Sequence, residues 1–149
     1  GGKKKYMDFV TNGKMAHFGT FNGNPLAMAG VRAIDRICSD DALAVAEEFN
    51  LQALTRIGEI IDEYQLPAHT VGFGVKGCVS WSTTPVRNYR DYKATDFGVA
   101  EAHWLFAINR GIITPPGLDE QWLISLAHGQ TEIDLLVEDF REFARAIRA

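Results

Sequence analysis

Between Ser39 and Pro67 the apolar residues Leu43, Ala46, Phe49, Ala53, Ile57, Ile60 and Tyr64 recur at three- and four-residue steps. That spacing puts them on one face of a helix, which Ser39 and Asp40 open and Pro67 ends. From Val71 to Trp81 the period changes to two, with Val71, Phe73, Val75, Val79 and Trp81 alternating with small or polar residues. This predicts strand, with a bulge or turn at Gly77. Upstream, a helix runs from Asn24 towards Ile37, because Asn24 suits the cap and Pro25 the first helical position. The stretch from Asp96 to Asn109 predicts another helix, closed by Gly111. Ile112 and Ile113 predict a short strand, Pro115-Pro116-Gly117 a turn, and Trp122 to Ala127 a further strand. Thr131 opens the last helix, with Asp134 three residues on as a weaker capping box and Ile133, Leu136, Val137, Phe140 and Ile147 as its apolar stripe. Thr83 to Tyr92 reads as a polar loop. Residues 1–20 hold Gly1, Gly2, Gly13 and Gly19 among short apolar pieces, which suggests loops and a strand rather than a long helix. Helices packed on one face of a small, mainly antiparallel sheet make the fold class α+β.

Composition narrows the classes of function. At 149 residues the chain fits one compact domain, or one domain and a trailing piece of another. The hydrophobic fraction of 46% and charged fraction of 23% are those of an ordinary soluble protein. A net charge of -4, with Lys3, Lys4 and Lys5 as the one basic cluster, gives no reason to expect nucleic acid. Cys38 and Cys78 lack CxxC spacing, and His17, His69, His103 and His128 lack a zinc pattern. Unpatterned cysteines fit a reducing cytoplasm. No apolar run is long enough to cross a membrane, and the basic N-terminus has no apolar segment behind it, so it does not read as a signal peptide.

Candidate chemistry concentrates in His17-Phe18-Gly19-Thr20-Phe21-Asn22-Gly23-Asn24-Pro25. Small residues allow close backbone approach, Thr20 offers a hydroxyl, and a predicted helix N-terminus follows, where unpaired N–H groups favour phosphate. On local physics alone, a glycine-rich turn with no ligand is the commoner reading. Other candidates favour structural roles. His128 reads as a histidine bonded to backbone, Arg87 and Arg90 as part of a solvated loop rather than a carboxylate clamp, and Trp81, Trp104 and Trp122 as packing residues. Glu101 and His103, two apart on a predicted helix, point to different faces and form no acid–base pair.

The segment Gly19-Thr20-Phe21-Asn22-Gly23-Asn24-Pro25-Leu26-Ala27-Met28-Ala29 is similar to the GT-x-x-GNP-x-A-x-A stretch of class III pyridoxal-phosphate aminotransferases, closest to the glutamate-1-semialdehyde 2,1-aminomutase-like branch. Gly1-Gly2 followed by Met7-Asp8 resembles that family's GG-x-x-x-x-MD segment. Asn109-Arg110-Gly111-Ile112 resembles its helix end and following strand. Ile124-Ser125-Leu126-Ala127-His128 with Thr131-Glu132-Ile133-Asp134 resembles its S-x-A-H…EDI ending. The matches keep the family's order over essentially the whole chain. Thr114 to Trp122 departs from the aminomutase A-P-S-x-F-E-A-x-F pattern, which makes a general amine or amino-acid aminotransferase the safer assignment and the aminomutase the alternative.

The resemblance implies the C-terminal part of a fold-type-I enzyme: residues 1–37 as the trailing segment of the large cofactor domain, and residues 38–149 as the small C-terminal domain. It implies a homodimer with pyridoxal 5'-phosphate at the subunit interface and a small-molecule amino donor and acceptor; the cysteines add the expectation of a cytoplasmic location. Thr20 would reach the cofactor phosphate of the neighbouring subunit, with Gly19 beside it giving close approach. The family's Schiff-base lysine lies upstream of the glycine pair, and none of Lys3, Lys4, Lys5, Lys14, Lys76 and Lys93 stands in that place. The expected consequence is that this chain alone, without the N-terminal cofactor domain, does not transaminate. A proteolytic remnant, an expressed half or one chain of a split enzyme all meet that description. The reading from a different class is a stand-alone α+β module that binds a partner or a phosphorylated ligand without catalysis.

Overall fold

The computed structural model describes residues 2–115 and 122–148. They form, in chain order, α1 (Lys4–Thr11), α2 (Pro25–Ile37), α3 (Asp40–Glu63), β1 (His69–Phe73), β2 (Lys76–Ser80), α4 (Tyr89–Tyr92), α5 (Phe97–Asn109), β3 (Trp122–Leu123) and α6 (Gln130–Arg148). The chain divides into two compact units, Gly1–Cys38 and Ser39–Ala149.

The larger unit is the expected α+β arrangement. Its sheet has the order β1-β2-β3, antiparallel throughout, with His69 opposite Ser80, Phe73 opposite Lys76, and Gly77 opposite Trp122. The helix α3 packs on β1 and β2, and α6 packs on α3. Ala46, Ala53, Ile57, Ile60 and Ile61 of α3 form the core with Val79, Trp81, Trp122, Ile133, Val137, Phe140, Phe143 and Ala144. Asn50 lies in the same seam, 1% exposed, and every polar atom of its side chain is used. Its Nδ2 donates to the carbonyls of Gly74 and Lys76, both at 2.8 Å, and its Oδ1 accepts from Trp122 Nε1 at 2.8 Å. One amide thus ties α3 to the hairpin turn and to β3. Burying it costs little because no donor or acceptor is left unmet.

The C-terminal ends of α3 and α5 use the same device. After α5, Gly111 takes φ +87°, Ile112 N–H donates to Ala107 O at 2.9 Å, and Gly111 N–H to Ile108 O at 3.0 Å. This is a Schellman cap, with glycine where a left-handed residue is needed. After α3, Gln65 takes φ +50° and the bonds run from Leu66 N–H to Ile61 O and from Gln65 N–H to Asp62 O. Here a non-glycine residue holds the left-handed position, and Arg148 at the end of α6 donates to the carbonyls of Tyr64 and Gln65.

Several expectations are corrected. Residues 4–11 form a helix, not a strand: the glycines bracket the segment instead of interrupting it, and Lys4 pairs with Asp8 one turn on at 2.7 Å. The turn falls at Gly74 (φ +57°), not at Gly77, which lies inside β2. Gly77 is glycine because a Cβ there would stand 2.4 Å from the Trp122 ring. Ile112 and Ile113 form no strand, since the amide of Ile112 closes α5. The third strand ends at Leu123; the Ile124 N–H still donates to Val75 O at 2.9 Å, but side chains capture amides after it: His128 Nδ1 accepts from Ser125 N–H at 2.9 Å, and Ser125 Oγ from Ala127 N–H at 3.3 Å. The carboxylate capping α6 is Glu132, which accepts from Gly129 N–H at 2.7 Å, whereas Asp134 pairs with Arg56 at 2.5 Å. The polar loop contains the short helix α4, capped by Asn88. The turn expected at Pro115-Pro116-Gly117, and most of the segment that departs from the aminomutase pattern, lie outside the described residues.

Candidate functional site

In the smaller unit, the sequence from His17 to Pro25 folds as two successive tight turns running into α2. Asn22 N–H donates to Gly19 O at 3.0 Å and Asn24 N–H to Phe21 O at 3.1 Å. Gly23 takes φ +71°, a conformation that favours glycine. Residues 17–23 are exposed and surround an open concavity lined by His17, Phe18, Gly19, Thr20 and Asn22. Gly19 has no room for a side chain, because a Cβ would meet Asn22 Oδ1 at 2.6 Å.

The hydrogen-bond ledger of this segment decides what it can hold. The first helical position is Pro25, which has no N–H. Leu26 and Ala27 N–H donate to Asn24 Oδ1 at 2.9 and 3.2 Å, and Met28 N–H donates to Asn24 O at 2.9 Å. The start of α2 therefore has no spare donor, which corrects the expectation that the helix N-terminus itself would meet an anion. The amides of Gly19, Thr20 and Phe21 and the Thr20 hydroxyl, by contrast, meet no hydrogen-bond partner among the described residues. Three neighbouring amides and a hydroxyl, exposed and unpaired, fit the oxygens of a phosphate group. The turn contains no lysine or arginine, so what it offers is mainly hydrogen bonds. Asn22 and the Phe21 amide are the members of this site that sequence reasoning did not single out.

The remaining candidates settle into structural roles. His128 Nδ1 accepts from backbone, as expected for a structural histidine. The backbone N–H of Gly129 holds the Glu132 carboxyl below the usual carboxylate range, with the nearby His128 contributing in the same direction. Both residues line a cavity of about 330 Å³ with Ile112, Ile113, Trp122 and Leu136. Its walls are mainly apolar, and His128 Nδ1 and Glu132 Oε2 are engaged by local backbone. His103 is buried and stacks on Phe143 at 4.8 Å between ring centroids, while Glu101 faces out. Trp81 and Trp122 belong to the core, and Trp104 donates to Thr114 O at 3.3 Å. Arg87 and Arg90 sit in the exposed loop capped by Asn88 and Asp91. Asp139, 3% exposed, accepts from Arg110 Nε at 2.7 Å; burial pushes its carboxyl up, against the pull of Arg110 and His103. All six lysines are exposed.

No protein-family model matches the chain. In sequence it is 29% identical over 141 residues to glutamate-1-semialdehyde 2,1-aminomutase 2 of Brevibacillus brevis, covering 93% of this chain and 33% of that protein. Its fold is similar to a β-phenylalanine aminotransferase from Variovorax paradoxus, with a TM-score of 0.83 at 23% identity over 98% of this chain and 34% of the other. It is also similar to a glutamate-1-semialdehyde aminomutase from Pseudomonas aeruginosa solved with PMP, with a TM-score of 0.75 at 20% identity over 86% of this chain and 30% of the other. The chain spans about a third of the length of the curated relatives it matches. In sequence the chain is similar to glutamate-1-semialdehyde 2,1-aminomutases, and its fold matches the C-terminal portions of class III, fold-type-I transaminases and of that aminomutase.

Proposed function

We propose that this chain is the C-terminal part of a pyridoxal-phosphate-dependent aminotransferase that moves an amino group between an amino acid or amine and a keto acid or aldehyde. In this reading, residues 1–37 trail from the large cofactor domain and residues 38–149 form the small domain. The observation that carries it is the exposed trio of unpaired amides beside the Thr20 hydroxyl, in the segment that resembles the family's phosphate-contacting turn. Thr20 and the amides around it bind phosphate oxygens of a cofactor seated mainly in a second subunit, and Gly19 lets the backbone close on it. Pyridoxal phosphate supplies the aldehyde that captures the amine and the ring that accepts its electrons. The amine that anchors the cofactor comes from outside this chain, so the 149 residues alone are inert. Support for a homodimer rests on this division of labour: a turn with hydrogen-bond donors and neither lysine nor arginine is half of a phosphate site.

A second reading, the 2,1-aminomutase itself, is supported by the sequence relatives. An isomerase of that kind shifts the amino group of glutamate 1-semialdehyde with no external acceptor, whereas an aminotransferase needs one, so turnover with and without added keto acid separates the two.

The site is tested by titrating the protein that carries this sequence with pyridoxal 5'-phosphate. Removing a hydrogen bond to a charged group costs roughly 1.5–3 kcal/mol, so Thr20→Val should weaken binding about 10- to 100-fold. Unchanged affinity would remove Thr20 from the site.

A further inference from the structure

The donors of the turn and those of the helix behind it are separated by one side chain. Asn24 Oδ1 accepts from both Leu26 and Ala27 N–H, its carbonyl accepts from Met28 N–H, and its own N–H closes the second turn on Phe21 O. Among the described residues, the hydrogen bonds that join the turn to α2 therefore all run through Asn24, and of its own polar atoms the side-chain Nδ2 alone takes no part. Asn22 lies over Gly19 on the other side, where a Cβ would collide with it.

We infer that Asn24 is a positioning residue: it closes the start of α2 to anions and fixes the Gly19–Phe21 amides and the Thr20 hydroxyl in their outward-facing arrangement. The inference rests on the phosphate reading of Thr20 and makes a prediction of opposite sign to a helix-terminus site. If α2 itself bound phosphate, Asn24→Ala would release two amides and tighten binding. If Asn24 positions the turn, the same change loosens the segment and weakens binding.

The experiment measures the dissociation constant of pyridoxal 5'-phosphate, and thermal stability, for the whole protein carrying this sequence. Asn24→Ala should weaken the cofactor about 3- to 10-fold, the size of a lost cap, and Asn24→Ser, which caps as well, should restore it. Ser39→Ala is the control for stability alone, because Ser39 Oγ caps α3 by accepting from Ala42 N–H at 3.2 Å. It should lower the melting temperature and leave cofactor affinity unchanged. Should Asn24→Ala not accumulate, Asn24→Gln keeps the amide while displacing the cap, and the same weakening is expected. Tighter or unchanged binding in the cap-loss variant, with Thr20→Val still weakened, overturns the positioning role alone. Unchanged binding in both overturns the phosphate reading with it.

Discussion

Two buried polar residues show how single side chains decide stability here. Asn50 meets two carbonyls and an indole N–H, so Asn50→Ala strands three groups at once. The expected cost is about 2–4 kcal/mol, with β3 released first, measured by chemical unfolding and by hydrogen exchange at Ile124, whose N–H donates to Val75 O. Asp139 behaves differently. Its folded pKa is raised, so the folded state holds its proton more tightly than the unfolded chain, and its contribution to stability grows as pH falls through that window. Asp134 and Glu132, both lowered, have the opposite sign: their contributions are present above the ordinary carboxylate range and lost as pH falls through their depressed values. Comparing wild type with Asp139→Asn from about pH 7 to about pH 4 should therefore show the wild type gaining relative stability on acidification. A constant difference would contradict the assignment.

At the scale of elements, strong periodicity was legible and backbone detail was not. The helices α2, α3, α5 and α6 and the antiparallel sheet follow from spacing, caps and the period-two run. Asn50 sits in phase with Ala46, Ala53 and Ile57, so its phase was the available signal that it is buried; its polarity hid it. The extent of β3 and the absence of a strand at Ile112 were illegible because amide capture by Ser125, His128 and Ala107 depends on folded geometry. The pairing of Arg110 with Asp139 has no local signature at all. The candidate turn was legible as glycine-rich and adjacent to a helix, and Asn24 was readable as a cap. That capping leaves the helix without spare donors needed the hydrogen bonds themselves. Two substitutions test these elements. Gly77→Ala drives a methyl into the Trp122 ring and should cost about 1–3 kcal/mol. Gln65→Gly relieves the left-handed residue that ends α3 and should add about 0.5–1 kcal/mol; a loss would mean that the Gln65 side chain matters more than its backbone.

For the whole molecule, the two units differ in how they are held together. The larger has its own core, while no residue of α1 or α2 is buried and Phe18, Phe21, Leu26, Val31, Ile34 and Ile37 are exposed. Among the described residues no helix is long and apolar enough to cross a membrane. The expectation that the 149 residues alone do not transaminate, even with added pyridoxal 5'-phosphate, is checked by an amine-to-keto-acid assay on that chain; turnover would place the anchoring amine among its own lysines. The central claim is that Thr20 and its neighbouring amides contact a phosphate, and the most direct measurement deletes that phosphate from the ligand. Binding of pyridoxal 5'-phosphate and of pyridoxal is compared in wild type and Thr20→Val. The account predicts about 10- to 100-fold weakening for the phosphorylated form and none for pyridoxal. Equal weakening of the two, or none for either, would contradict it.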